Sequence, residues 1–295
     1  MKRLSILLVA VALGAGAVGW FSKGLSWNAE RRVQAEAADR DLAERLARDA
    51  TGRVSGFIDG IRLMMQAIST VTPVREFDHR PCTELLLAVR QGLPPQMVLG
   101  VSRGDGWLIC STAGTPERLV NVGRRSFFAQ TYQQNEFFVS EWEAATQILR
   151  GGTLHFGQPI RSPAGTPIGV HGGAVGVTLL VDLLRPMALP QRAQIMLVDR
   201  LGNIVIHVRG DGIPAQDGGI PPAEPLRAVL PPFPMAAEPG QSGEGSPRLS
   251  RLTGAEGQPN MTVATTYVPG TKGALRLLVL VAAETVPGSG AAVVR

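Results

Sequence analysis

The chain opens with one uninterrupted apolar run, Leu4–Phe21, which follows Lys2 and Arg3 and precedes a polar sequence. A bilayer core of ~30 Å requires about 20 helical residues, which is close to the length of this run. Basic residues before an apolar run favour a cytoplasmic N-terminus. The pattern predicts a transmembrane anchor over residues 1–22 with the bulk of the chain exported. A cleaved signal peptide, for which Ala15–Ala17 offers a small-residue site, is the alternative.

Residues 23–75 are predicted to form a long stalk or signalling helix. From about Glu30 to Val71 apolar residues recur in steps of three and four, which is the period of an amphipathic helix. No proline interrupts the pattern before Pro73. About forty residues with a rise of ~1.5 Å each give a helix of ~60 Å, which is long for a globular protein.

Three glycines, Gly52, Gly56 and Gly60, recur every fourth residue on this helix. Each costs about 1 kcal/mol of helix propensity relative to alanine, so close packing against another backbone is expected to compensate. Two interpretations stay open. The glycines either contact the sheet of the same chain tightly or form a helix–helix seam in a homodimer.

Beyond residue 76 the pattern changes to short apolar strands. Met97–Ser102 and Trp107–Thr112 flank a turn that contains Asp-Gly, which is a strong hairpin signal. A second hairpin is predicted from Ile195–Asp199 and Ile204–Val208. A short helix is expected around Cys82–Gln91. Further strands are expected over Leu154–Ile160, Gly169–Leu183, Arg248–Leu252, Met261–Val268 and Leu275–Ala283.

The two hairpins align with each other at a constant offset, pairing Ser102 with Asp199 and Arg103 with Arg200. Repetition at this scale predicts two related units in tandem. We place a membrane-distal unit at 76–190 and a membrane-proximal unit at 191–285. A tail at 286–295 follows. The fold class is therefore α+β, with a membrane helix and a stalk helix followed by two antiparallel-sheet units.

Composition and charge exclude several functions. The net charge of +5 is modest, the basic residues are scattered and aromatic residues make up 5% of the chain, so no nucleic-acid partner is expected. The four histidines are far apart in sequence and form no metal-binding motif, so neither a metal site nor a cofactor is predicted. Because no acid–base pair or activated nucleophile stands out, the sequence does not indicate an enzyme.

The chain contains two cysteines, Cys82 and Cys110. In an oxidising compartment two cysteines can close one bridge. Two unpaired buried thiols are the alternative that the residues alone leave open.

The order of these elements resembles the double Cache family, the PAS-like extracytoplasmic sensor domains of bacterial transmembrane receptors. The resemblance spans about residues 25 to 286. It is carried by the D-R-x-Y-F element at Arg124–Phe128, with arginine replacing the aspartate, and by Pro159–Gly169, Val177–Leu183 and Met196–Gly202. The resemblance implies a disulfide between Cys82 and Cys110. It also implies an inner-membrane protein whose bulk lies in the periplasm.

The resemblance further implies a ligand site in the membrane-distal unit. A guanidinium at Arg125 would bind a carboxylate bidentately, and Asp182 would receive an ammonium group. The full set of candidate ligand-binding residues is Arg125, Phe127, Phe128, Trp142, His155 and Asp182. The expected ligand is a small polar metabolite, such as a carboxylate or an amino acid.

The predicted function is a sensor domain that binds this ligand and transmits the event to the membrane through the long helix, as a homodimer. A ligand-free, membrane-anchored envelope module that scaffolds a partner protein is the alternative.

Overall fold

The computed structural model describes residues 2–113, 120–143, 152–210, 247–253 and 260–283, with side chains from about Trp27 onward. The predicted anchor at 1–22 therefore lies outside the residues whose side chains are described, and the tail at 286–295 lies outside the described residues altogether. Among the residues whose side chains are described, no helix has the length and apolar character that a membrane crossing requires.

The first helix, α1 (Lys2–Ser69), is the long helix that the periodicity predicts. Its apolar face is buried, and small residues precede larger ones along it: Ala43, Ala47, Ala50, Val54, Ile58, Ile61, Met65 and Ile68. The helix packs against strands of both sheets described below. One continuous element therefore contacts both halves of the molecule.

Four shorter helices follow: α2 (Thr72–Arg75), α3 (His79–Arg90), α4 (Ser126–Gln134) and α5 (Val177–Leu184). The first sheet comprises β1 (Met97–Arg103), β2 (Leu108–Ser111), β3 (Phe138–Val139), β4 (Thr153–Arg161) and β5 (Pro167–Gly176). Its strand order is β2-β1-β5-β4-β3, and all pairs are antiparallel.

The second sheet repeats this arrangement. It comprises β6 (Ala193–Asp199), β7 (Ile204–Arg209), β8 (Arg248–Leu252), β9 (Met261–Tyr267) and β10 (Leu275–Ala282). The order β7-β6-β10-β9-β8 matches that of the first sheet. Two antiparallel sheets with a long N-terminal helix confirm the predicted α+β class.

The first sheet lies between two layers of helix. Residues Leu154, Phe156 and Ile160 of β4 belong to the main core, which α1 shares. The intervening positions face α4, where His155 stacks on Phe127. The period of two along the strand thus separates a core face from a face covered by α4.

The predicted strand Gly169–Leu183 is wrong in its second half, because β5 ends at Gly176 and α5 begins at Val177. A short apolar run cannot be assigned to a strand or a buried helix by periodicity alone. Here Val177, Leu180 and Leu184 are buried at helical spacing, so packing selects the helix.

The glycines of α1 do not contact the sheets. A Cβ added at Gly52, Gly56 or Gly60 would meet no atom within 4 Å among the described residues, and all three positions are exposed. The interpretation of tight contact with the chain's own sheet is therefore wrong.

The predicted disulfide between Cys82 and Cys110 is confirmed. Both residues are buried, one on α3 and the other on β2. The bridge therefore attaches α3 to the outer strand of the first sheet.

Candidate functional site

The candidate site lies at the N-terminus of α4. Arg125 occupies the N-cap position with extended backbone (ψ 141°), and its side chain is 56% exposed. Its Nη1 donates to Oε2 of Glu143 at 2.7 Å. Since a guanidinium carries five N–H donors, other donors of Arg125 are available to a ligand.

Residues 138–143, here called the strap, form the wall opposite α4. Beyond β3 the strap continues beside β4, where Ser140 N donates to His155 O at 2.8 Å. Glu143 and Thr153 exchange two backbone hydrogen bonds of 2.9 Å. This register brings the Glu143 carboxylate next to His155 and Arg125.

His155 is 9% exposed and stacks on Phe127, with ring centroids 5.4 Å apart. Burial lowers the pKa of His155, and the nearby Glu143 carboxylate opposes this shift. Its Nδ1 lies 3.8 Å from Glu143 Oε2, which is too far for a hydrogen bond. Nδ1 is buried without a partner among the described residues.

Trp142 has a second buried polar atom, but its ring packs against the main core, on the opposite face of β4 from His155. Its indole Nε1, which can only donate a hydrogen bond, has no partner in the described part of the chain. The ring packs on Gly152, where a Cβ would collide with it. Because an unsatisfied buried polar group costs about 1–3 kcal/mol, the unpartnered Nδ1 of His155 requires an explanation at the site.

The arrangement combines a cation, a carboxylate and a neutral imidazole. It is suited to a small polar molecule that carries both an acidic and a basic group. An acidic group of the ligand would be received by Arg125, and a basic group by Glu143.

The structure brings together Arg125, Phe127 and His155, as well as Glu143, which the sequence reasoning missed. Trp142 does not join them, because its ring packs against the main core. Phe128 is placed in an apolar cluster, where it stacks on Tyr132 rather than on the polar groups. Phe127 therefore contacts His155 of the site, whereas Phe128 contacts apolar side chains and Tyr132.

Asp182 does not join this group in the described structure. It lies on α5 and pairs with Arg185 at 2.9 Å, with 42% of its side chain exposed. The reason is the helix that replaces the predicted strand. Glu143 provides the carboxylate beside Arg125 instead. The signal that could have found it is its place next to Trp142.

A separate cleft of about 310 Å³ lies between α1 and the edge of the second sheet. At this edge Glu36 of α1 pairs with Arg251 at 3.0 Å. Arg192 forms a second ion pair with Asp39, whose side chain is 5% exposed. These pairs attach α1 to the second half of the chain, near the second sheet.

No protein-family model and no curated protein matches the sequence. Solved structures match the fold. The ligand-binding domain of the Pseudomonas aeruginosa amino acid chemoreceptor PctB, in complex with L-Arg, has a TM-score of 0.59 and 16% identity over 82% of this chain and 94% of that one. The ligand-binding domain of the Campylobacter jejuni chemoreceptor Tlp3, in complex with L-valine, has a TM-score of 0.60 and 12% identity over 85% and 96%.

The extracellular domain of a putative histidine kinase, rpHK1S-Z16, has a TM-score of 0.54 and 16% identity over 85% of this chain and 95% of that one. At these identities the likeness establishes the fold. The predicted double Cache fold, that of receptor sensor domains, is confirmed.

Proposed function

We propose that this chain is a periplasmic sensor domain, anchored by residues 1–22, that binds a small polar metabolite in its membrane-distal unit. The observation that carries the proposal is the buried, unpartnered Nδ1 of His155 beside the Arg125–Glu143 ion pair. A ligand that hydrogen-bonds to this atom would remove the cost of leaving it unsatisfied. This is binding rather than turnover.

The charges favour an amino acid or a related carboxylate as the ligand. Arg125 supplies a cation for a carboxylate, and Glu143 supplies an anion for an ammonium group. The solved domains that share the fold were crystallised with L-Arg, L-serine, L-valine or GABA, which supports this ligand class.

The first prediction concerns Arg125. In a thermal-shift screen of the full chain against amino acids and small carboxylates, at least one compound is expected to raise Tm. Arg125→Ala is expected to weaken its binding about 10- to 100-fold, because a hydrogen bond to a charged group contributes about 1.5–3 kcal/mol. Isothermal titration calorimetry measures the change.

Arg124→Ala is the matched control, because Arg124 is the exposed neighbour of Arg125. It should bind as the unmodified chain does. If a compound binds Arg125→Ala as tightly as it binds the unmodified chain, Arg125 is not part of the site. A screen without any hit would favour the alternative, a ligand-free envelope module that scaffolds a partner.

We further propose that α1 transmits the binding event. The Asp39–Arg192 and Glu36–Arg251 pairs attach α1 to the membrane-proximal unit. The last turn of α1 contacts the distal sheet. Helix shifts of about 1–2 Å are a known mode of transmission, and a coupling energy of about 1–3 kcal/mol is sufficient.

We propose that the active form is a homodimer whose seam is the glycine stripe of α1, Gly52, Gly56 and Gly60. Open space beside each glycine leaves room for a second backbone. Leu63 continues the stripe one turn further and is 61% exposed. A second copy of the chain would cover this leucine and use the space at the glycines.

The second prediction distinguishes a homodimer seam from a role of these glycines within a single chain. The triple variant Gly52→Ala, Gly56→Ala, Gly60→Ala is expected to raise the stability of the monomer by about 2–3 kcal/mol, because alanine is the better helix former. It is expected to weaken self-association at least tenfold, because the added methyl groups separate the helices. Denaturation and analytical ultracentrifugation measure the two effects.

Gly92→Ala is the control for added alanine outside α1, since a Cβ there has only ordinary contact with Val89 O at 3.7 Å. Self-association should be unchanged in this variant. Unchanged association in the triple variant would contradict the proposed seam.

A further inference from the structure

We infer that the membrane-proximal unit holds one wall of the distal site, with Asp199 and Arg200 as positioning residues for the strap. Both residues lie at the β6–β7 turn, and the strap carries Trp142 and Glu143. The inference rests on the proposed function, since it assigns a role within the same site. It makes the ligand site depend on contacts from both units.

Asp199 is fully buried, and its carboxylate accepts four hydrogen bonds. Oδ1 accepts from the backbone N–H groups of Leu201 and Asn203, both at 2.9 Å, and so stabilises its own turn. Oδ2 accepts from Asn203 Nδ2 at 2.9 Å and from the backbone N–H of Trp142 at 3.0 Å. Oδ1 therefore stabilises the β6–β7 turn alone, whereas Oδ2 also accepts a hydrogen bond from the strap.

Arg200 contacts the strap at three points. Its Nε lies 2.8 Å from Glu141 Oε1 in an ion pair, although the N–H is not aligned for a hydrogen bond. Its Nη2 donates to Val139 O at 3.1 Å. The guanidinium lies 5.0 Å from the ring centroid of Phe138, which is cation–π distance.

The other side of the strap faces α4. Ser126 Oγ donates to Glu141 Oε2 at 3.3 Å, so the two carboxylate oxygens of Glu141 face different units. Arg125 holds Glu143 two residues further on. Displacement of the Arg125–Glu143 pair by a ligand would therefore act on the contacts with Asp199 and Arg200.

The corresponding turn of the distal unit behaves differently. In the repeat alignment Arg103 is the counterpart of Arg200, yet Arg103 pairs with Asp105 of its own turn at 2.7 Å. Both of those side chains are about half exposed, at 50% and 49%. The turn of the repeat therefore does not require contact with another unit. Among the described residues, it is the β6–β7 turn that makes such a contact.

Asp199→Asn tests the inference without a ligand. The amide retains Oδ1 for the turn but places an NH₂ group where Oδ2 accepted from Trp142. Hydrogen exchange of the Trp142 amide in the full chain is expected to accelerate about 10- to 100-fold, by loss of one hydrogen bond to a charged group. Release of the strap would hydrate His155, so its pKa, followed by NMR, is expected to rise towards 6.5.

Asn203→Ala is the matched control, because it removes the other partner of Oδ2 and leaves Trp142 untouched. It should change neither readout. Where Asp199→Asn fails to fold, Arg200→Gln takes its place, with Arg103→Gln as its control in the repeat. Arg200→Gln should also raise the pKa of His155.

The inference is overturned if folded Asp199→Asn or Arg200→Gln leaves both the Trp142 exchange rate and the His155 titration unchanged. Both readouts work without ligand. Failure of this inference is therefore distinguishable from failure of the proposed function, which the ligand screen tests.

Discussion

Replacement of Cys82 and Cys110 by alanine is expected to lower the free energy of unfolding by about 3–4 kcal/mol. The bridge closes a loop between residues that are 28 apart in sequence, and a loop of this length restricts the unfolded chain by about that amount in the chain-entropy model. Urea denaturation of the full chain in detergent micelles measures the loss.

The same loss is expected when the unmodified chain is unfolded under reducing conditions. This second measurement separates the bridge from the small cavities that alanine leaves. A loss below about 1 kcal/mol in both experiments would show that the bridge does not restrict the unfolded chain as the model assumes.

The position of the disulfide determines which strand of the first sheet is destabilised most when it is removed. It joins α3 to β2, which is an outer strand of the first sheet and pairs only with β1 there. An outer strand has half of the ladder hydrogen bonds of an inner one, so it depends more on attachments from outside the sheet. Hydrogen exchange in β2 should therefore increase before exchange in β5, the central strand.

The sequence predicts most strands to within a residue or two because each has its own local signal. The hairpin turns and the alternation of buried positions define β1, β2, β6 and β7 without knowledge of the rest of the chain. Two elements are exceptions. The two-residue strand β3 is not predicted, and Val177–Leu184 is a mostly apolar run whose choice of helix depends on what it packs against. Local pattern contains no information on that choice.

The site is less predictable for a related reason. Arg125 and Glu143 are 18 residues apart, and they meet only because the strap pairs with β4. The family resemblance instead directs attention to Asp182, at the end of the predicted strand Gly169–Leu183. Because the second half of that predicted strand is a helix, Asp182 pairs with Arg185 near the surface.

His171 shows how a residue without a sequence signal can control stability. It lies fully buried on β5 against the last turn of α1, with Nδ1 3.2 Å from Met65 O and 3.4 Å from Ser69 Oγ. Burial lowers the pKa of His171 to about 4, although the hydrogen bond to the Met65 carbonyl opposes the shift. The neutral imidazole is therefore part of the contact between α1 and the distal sheet.

Stability is expected to fall by about 3 kcal/mol as the pH drops from 6.5 to 4, through His171 alone. In this window the unfolded chain binds a proton at His171 and the folded chain does not, so stability rises with pH. Above 6.5 neither state is protonated and this contribution is constant. Urea denaturation at pH 7, 5.5 and 4.5 measures the slope.

His171→Gln is expected to lose this slope, because an amide keeps a donor for Met65 O and does not titrate. Gln158→Ala is the matched control: Gln158 is the buried residue paired with His171 across β4 and β5, and its loss should lower stability equally at every pH. If the free energy of unfolding changes with pH in the same way in His171→Gln and in the unmodified chain, His171 does not cause the slope. A stability difference confined to acidic pH would support the assignment, and would mean that protonation of His171 weakens the contact between α1 and the first sheet.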